Sequence, residues 1–274
     1  MTVLTTRTIG SVRVLEINNP TTRNAVGPDF FEEAETALGA AEADPGIGAI
    51  VLTGASGTFS SGGNLRALAG NRDKPAAERR ERIELLHGLI RRIDASPLPI
   101  VAAVEGAAAG AGMSLALACD LIVAARTAFF SASYIRAGLS PDGGLTALLT
   151  ESLPRQAVTE LCLLGERVPA ERMHELGVVN RLVDTDGAEQ VAVELATRLA
   201  GGPARATARI KTLVRTSTRH TLHEQLDLEA AAMVLSQGDD EAAEGIAAVL
   251  ERRPAEFPRP RRTQSAALTE SEVR

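Results

Sequence analysis

Residues 100–120 read IVAAVEGAAAGAGMSLALACD. The run Ile100 to Val104 has the length and composition of a buried strand, and the glycines at 106, 110 and 112 make a loop that leads straight into a helix. The first N–H groups of a helix have no partner inside it, so this order of strand, glycine loop and helix sets unpaired, electropositive donors at the loop. Layered α/β sheets bind their ligands at such places.

The pattern recurs upstream. Ile47 to Thr53 (IGAIVLT) reads as a buried strand ended by residues 54–64 (GASGTFSSGGN), a second glycine-rich loop, and a charged helix over 75–95 lies between the two units. Before them, Val12 to Asn18 (VRVLEIN) alternates as a strand does, residues 18–29 (NNPTTRNAVGPD) carry turn chemistry, and a helix is predicted over 29–43. After them come a strand over 121–125, an irregular segment over 129–139, a PDGG turn at 141–144 and a helix over 145–149. Alternating strands and helices argue an α/β layered fold with a largely parallel sheet. From Ala188 onward the pattern is helical, broken at Gly201–Pro203 and Gln237–Gly238. We therefore expect a core over 1–200, a helical region over 201–254 and a poorly ordered tail over 255–274, where Pro, Arg, Ser and Thr dominate.

Composition narrows the function. A chain of 274 residues with 45% hydrophobic content can bury roughly 75% of its unfolded surface without metal or disulfide support. Its two cysteines, Cys119 and Cys162, lie in apolar stretches, where a thiol behaves as a small hydrophobe and a reducing compartment is expected. A net charge of −6, no Trp and one Tyr argue against nucleic-acid binding. The polar start MTVLTTRTIG lacks a signal-peptide pattern, and no apolar run has the roughly 18 residues of a membrane span. The expectation is a cytoplasmic protein with no membrane or nucleic-acid partner. His87, His174, His220 and His223 show no metal-ligand spacing, so no metal is expected.

Two glycine loops that converge can supply the pair of backbone N–H groups that holds a developing enolate oxygen. Five segments in register carry a more specific message: NNPTTRNAV (18–26), FSSGGNL (59–65), PIVAAVEGAAAGAGMSLALACDLIVA (99–124), GLSPDGG (138–144) and LGERVPAERMHELGVVNRLV (164–183). On these segments the chain resembles the crotonase superfamily, the enoyl-CoA hydratase/isomerase family, over nearly its whole length. The resemblance implies a spiral of ββα turns with a C-terminal trimerisation region, a homotrimer or a hexamer built as a dimer of trimers, and an acyl-CoA substrate. No separate cofactor is implied, because coenzyme A is part of that substrate. It places the two oxyanion donors on the N–H groups of Gly63 and Ala111. Ser61 matches a backbone contact to adenine, Arg66 a position near the CoA phosphates, and Arg252 a basic residue that reaches the CoA of a neighbouring subunit.

The departures from the family pattern decide the expected chemistry. Hydratases of the family position water with two glutamates, and those positions fall here on Ser114 and Tyr134, neither of which is a carboxylate. An unperturbed tyrosine, with a pKa near 10, is a poor base at neutral pH. Asp142 matches the place where isomerase-like relatives carry a catalytic aspartate. One carboxylate suits a double-bond shift, in which a proton leaves one carbon and returns two carbons away. Ser114 and Tyr134 then line the acyl pocket or orient Asp142. Hydration remains the main alternative. A dehalogenase acting on aryl-CoA, a CoA-ester-binding protein without turnover, and a serine hydrolase using Ser114 within Gly112–Ala116 with His220 or His223 are more distant ones.

Overall fold

The computed structural model describes residues 2–257. Along the chain run β1 (Leu4–Ile9), β2 (Val12–Ile17), β3 (Ala25–Val26), α1 (Pro28–Ala43), β4 (Ala49–Gly54), β5 (Gly62–Gly63), α2 (Leu65–Ala69) and α3 (Ala76–Ala95). Then follow β6 (Ile100–Val104), β7 (Ala107–Ala109), α4 (Ala111–Ala118), β8 (Leu121–Ala125), β9 (Phe129–Ser131), a 3-10 turn (Ser133–Ala137), α5 (Leu145–Ser152) and α6 (Arg155–Leu164). The chain continues through β10 (Val168–Pro169), α7 (Ala170–Glu175), β11 (Arg181–Val183), α8 (Ala188–Ala200), α9 (Ala204–Thr216), α10 (Leu222–Gln237) and α11 (Asp240–Glu251).

The main sheet has the order β1-β2-β4-β6-β8-β11; only the β1–β2 pair is antiparallel. Strands β4 and β6 are buried on both faces, which is why they read as unbroken apolar runs. Each of β4, β6 and β8 is followed by a short strand, β5, β7 or β9, that belongs to a smaller ladder. Strand, short strand and helix thus repeat as the turns of a spiral, the crotonase-like α/β fold expected from the sequence.

Period-two alternation sorts the main sheet's side chains. Leu15, Ile17, Ile50, Leu52 and Ile100 face the principal core, with Phe30, Leu38, Leu89 and Ile93 of α1 and α3. Val12, Val14, Val51, Val101, Ala103 and Val123 face the other way and are covered by α8. Ala188, Ala192, Ala196 and Ala200 lie one turn apart on that helix, and their small side chains let it settle close to the sheet.

Some elements differ from the expectation. The start of the chain, read as polar, is strand β1, an edge strand in which only Leu4 is buried, so Thr and Arg are tolerated on it. The segment over 129–139 is ordered as β9 and a 3-10 turn, and the helix expected over 145–149 runs on to Ser152. Of the expected tail, Ala255–Phe257 are described: Glu256 N–H donates to Glu244 Oε1 at 2.7 Å. Residues 258–274 lie outside the described residues. No described helix is long and apolar enough to cross a membrane.

The helical region from α9 onward is tied to the core by a polar clamp. Arg215 donates to Ile93 O at 3.2 Å and to Asp94 O at the end of α3, and to Ala118 O at 3.2 Å at the end of α4. It also pairs with Asp94 and, at 2.8 Å, with Asp120. Lys211 donates to Leu98 O and pairs with Asp120 at 2.7 Å. Burial lowers the Lys211 pKa while Asp120 pulls it up, so the ammonium depends on this carboxylate. Cys119 beside it donates to Leu115 O, and burial raises its thiol pKa to about 12, which fits the expected inert hydrophobe.

The Lys211, Asp120 and Arg215 side chains are only 9%, 14% and 16% exposed, so removing the shared carboxylate leaves Lys211 without its counter-charge and Arg215 with only the half-exposed Asp94. Asp120→Ala is expected to cost about 3–5 kcal/mol in urea unfolding. A loss below about 1 kcal/mol would mean that solvent reaches the cations and the clamp is superficial.

Candidate active site

The two glycine-rich loops meet as backbone against backbone. Phe59 N–H donates to Glu105 O and Ser60 N–H to Ala107 O, both at 2.8 Å, and Ala109 N–H returns to Ser60 O at 3.0 Å. Glycine makes this approach possible. A Cβ on Gly112 would stand 2.6 Å from Ser60 Cβ and 2.8 Å from Ser60 O. On Gly62, whose φ is +94°, a Cβ would stand 2.6 Å from Ala109 O and 3.4 Å from Ala111 N.

The N–H groups around Gly63 are assigned one by one. Ser61 N–H donates to Arg23 O, Gly62 N–H to Ser60 Oγ and Asn64 N–H to Val26 O. Gly63 lies between these residues in β5, paired with Val26 of β3. Across the loop contact, Ala111 opens α4, and Ser114 is the first residue whose N–H finds its helical acceptor, Gly110 O. The N–H groups of Ala111, Gly112 and Met113 therefore have no partner within the helix. Since α4 is apolar and almost wholly buried, their partial positive charge is little screened.

A polar cluster adjoins this helix end. Tyr134, on the 3-10 turn, donates its hydroxyl to Asp142 Oδ1 at 2.8 Å. Ser114, fully buried on α4, donates to Asp142 O at 3.1 Å and lies 3.4 Å from Tyr134 Oη. Burial, and next the Asp142 charge, push the Tyr134 phenol far above its ordinary value, so it keeps its proton and acts as a donor. Gly143 has φ +60°, and its Cβ would stand 2.9 Å from Ser114 Cβ, so the chain passes over Ser114 where only glycine fits. A Cβ on Gly110 would lie 3.9 Å from Tyr134 Cζ, which sets the tyrosine ring beside the start of α4.

This arrangement has close relatives. The family model for enoyl-CoA hydratase/isomerase matches residues 7–260. The 1,2-epoxyphenylacetyl-CoA isomerase of Escherichia coli K12 is 34% identical over 247 residues, covering 90% of this chain and 94% of the relative. The 2,3-dehydroadipyl-CoA hydratase of the same organism is 31% identical over 246 residues, with 90% and 94% covered. A crystal structure of an enoyl-CoA hydratase from Polaromonas sp. JS666 superposes with a TM-score of 0.91 at 42% identity, covering 93% of this chain and 99% of the other. The chain belongs to the enoyl-CoA hydratase/isomerase family. It is a crotonase-superfamily enzyme of the kind that acts on acyl-CoA thioesters.

Within this family member the structure brings Ser114, Tyr134 and Asp142 together beside the two loops that carry Gly63 and Ala111. Ser61 lies in the first loop, its Oγ donating to Thr22 O at 2.9 Å, and Arg66 is exposed on α2 just beyond it. Arg252 is exposed at the C-terminal end of α11, outside this cluster. The serine-hydrolase arrangement is not formed: Ser114 Oγ is engaged with Tyr134 and Asp142 O, while His220 Nδ1 lies 3.4 Å from Gln225 Oε1.

One residue of structural weight was not singled out from the sequence. Asn24 is fully buried with φ +56°; its Nδ2 donates to Ala55 O at 2.8 Å and Thr58 O at 2.6 Å, its Oδ1 accepts from Asn19 N–H, and its carbonyl accepts from Ser60 Oγ. It fastens the first glycine loop from behind. The available signal was an asparagine, tolerant of a left-handed backbone, inside a turn-rich segment.

Propensity and packing oppose each other at Gly112. Alanine in a helix is normally better than glycine by about 0.8–1.0 kcal/mol, yet here its methyl would wedge the loops apart. Gly112→Ala is expected to lower stability by about 1–3 kcal/mol in thermal unfolding and to reduce turnover sharply. Gly88→Ala, inside α3 where a Cβ meets nothing within 4 Å, should instead stabilise by about 0.8–1.0 kcal/mol. A stabilised Gly112→Ala protein would refute the close loop contact.

Proposed function

We propose that this enzyme shifts the double bond of an unsaturated acyl-CoA, with Asp142 as the acid/base and the N–H groups of Gly63 and Ala111 as the oxyanion donors. The observation that carries the reading is the Tyr134–Asp142 hydrogen bond at 2.8 Å beside the start of α4. One carboxylate is held close to the backbone donors, while the two positions that carry glutamates in hydratases of the family supply only hydroxyls. In the forward step a C–H bond next to the thioester carbonyl, or its vinylogous equivalent, breaks. Its proton goes to Asp142, and its electron pair moves into the conjugated system as a dienolate whose oxygen lies between the two N–H groups. Return of the same proton two carbons away restores the carboxylate and completes the shift. No atom is added or lost.

Ser61 and Arg66 are assigned to the CoA moiety and Arg252 to that of a neighbouring subunit. A trimer, or two trimers as a hexamer, is the assembly the family membership suggests, and the apolar faces left open on α9–α11 support association. Val214, Leu222, Val249 and Leu250 are 66%, 72%, 77% and 78% exposed in a single chain. A cytoplasmic setting fits the two free thiols. Sedimentation at micromolar concentration should give a trimer or hexamer; a monomer would remove the assembly and the role of Arg252 with it.

Hydration is the second reading, favoured by the 42% identity to a crystal structure described as an enoyl-CoA hydratase. Mass spectrometry of products from 2-enoyl-, 3-enoyl- and aryl-CoA esters separates the two, since hydration adds the mass of water and isomerisation adds none. Asp142→Asn keeps the shape and removes the proton carrier, so a loss of about 10²–10⁴ in kcat is expected with KM little changed. Near-full activity of that variant, or efficient hydration by the wild type, would overturn the isomerase reading.

A further inference from the structure

Three contacts converge on Tyr134, a residue of the polar cluster to which the proposed proton transfer gives no task. Its hydroxyl occupies Oδ1 of Asp142. Its ring stands beside Gly110, the residue before Ala111. Ser114, three residues and thus about one turn along α4 from Ala111, adjoins the tyrosine hydroxyl and binds the Asp142 carbonyl. The Asp142 backbone is therefore fixed by Ser114 and by the left-handed Gly143 packed on it, but a carboxylate remains broad about its last torsion unless a donor holds it. Tyr134 is that donor. Its phenol, kept protonated by burial and by the neighbouring charge, cannot compete as a base.

We propose that Tyr134 is the positioning residue of the acid/base group: by occupying Oδ1 it fixes the Asp142 carboxylate so that Oδ2 faces the acyl chain and carries the proton out and back. This rests on the reading of Asp142 as acid/base. A role as pocket lining would also use the ring, but it has no use for the hydroxyl. A misplacement on the order of 1 Å at a reacting group costs about 10²-fold in rate, so orientation of a single oxygen is worth a dedicated donor. The same fixed geometry makes proton return faster than exchange with solvent.

Tyr134→Phe removes the donor and keeps the ring. Assayed on the full chain with the best acyl-CoA of the mass-spectrometric panel, it should lower kcat by about 10–100-fold, the range of a charge-assisted hydrogen bond, with KM within about threefold. Deuterium wash-in per turnover should rise, because a loosened Asp142 exchanges its proton before returning it. On an Asp142→Asn background the same change should cost little more, since the donor then has no carboxylate to orient. Ser114→Ala, which loosens the Asp142 backbone instead, should lower kcat by a smaller factor and serves as the test if Tyr134→Phe is recovered unfolded. Unchanged or raised kcat in folded Tyr134→Phe, a loss confined to KM, or a full independent loss on the Asp142→Asn background would overturn the proposal. If Asp142→Asn is inactive while Tyr134→Phe is not, only the positioning role falls. An active Asp142→Asn enzyme removes the acid/base reading itself.

Discussion

Two stretches of backbone, Ser60–Gly63 and Ala109–Gly112, lie closer together than side chains permit, and the geometry of the site follows from that contact. The hydrogen bonds between Ser60, Ala107 and Ala109 hold the two loops in register, while Gly62 and Gly112 remove the atoms that would push them apart. Asn24 secures the assembly from outside, tying the first loop to the preceding turn through buried amide contacts. Each of these residues is explained by space or by hydrogen-bond satisfaction. What they produce together is a closed contact between the Gly63 and Ala111 segments, held by backbone bonds and by the Asn24 and Ser60 side chains.

Oxyanion donors taken from the backbone, as proposed above for Gly63 and Ala111, would let one scaffold serve several reactions, because they need only the closed loops while the residues beneath them change. Ser114, Tyr134 and Asp142 are three such residues, drawn from α4, the 3-10 turn and the segment before α5. Their mutual hydrogen bonds convert what would be scattered polar groups in a largely apolar region into a satisfied cluster, which is the condition for burying them at acceptable cost.

The sequence was most legible where local chemistry and tertiary environment agree. Strands β6 and β8 fall on the predicted residues because a strand buried on both faces must be apolar throughout and must stop at the residues that turn the chain. The short strands β3, β5, β7 and β9 left no such trace; two or three residues have no periodicity, and they exist only through pairing with segments far along the chain. Edge strand β1 was hidden by its threonines. At the site, the glycine loops announced the close backbone contact, and the family pattern marked Ser114, Tyr134 and Asp142, which the structure brings together. The sequence left open whether Tyr134 lines the pocket or orients Asp142, because their hydrogen bond depends on where the 3-10 turn docks against α4. The role of Asn24 is likewise visible only once its partners, more than thirty residues away, are in place.

The Arg215 clamp adds a mechanical link between the far end of the molecule and this site. Helices α3 and α4 both end against one guanidinium, which binds Ile93 O, Asp94 O and Ala118 O at their C-terminal ends. At their other reaches, α4 begins at Ala111 and α3 packs Leu86 within 3.1 Å of where a Gly143 Cβ would stand, next to Asp142. The two helices that flank Asp142 are therefore anchored by a residue of α9, a helix with no fully buried residue of its own. Burial of the apolar faces of α9–α11 would stiffen that anchor and, through it, the spacing between the oxyanion donors and Asp142. On the proposed trimer reading, assembly and the geometry around Asp142 would be coupled through the C-terminal ends of α3 and α4, without any partner side chain having to enter the reaction.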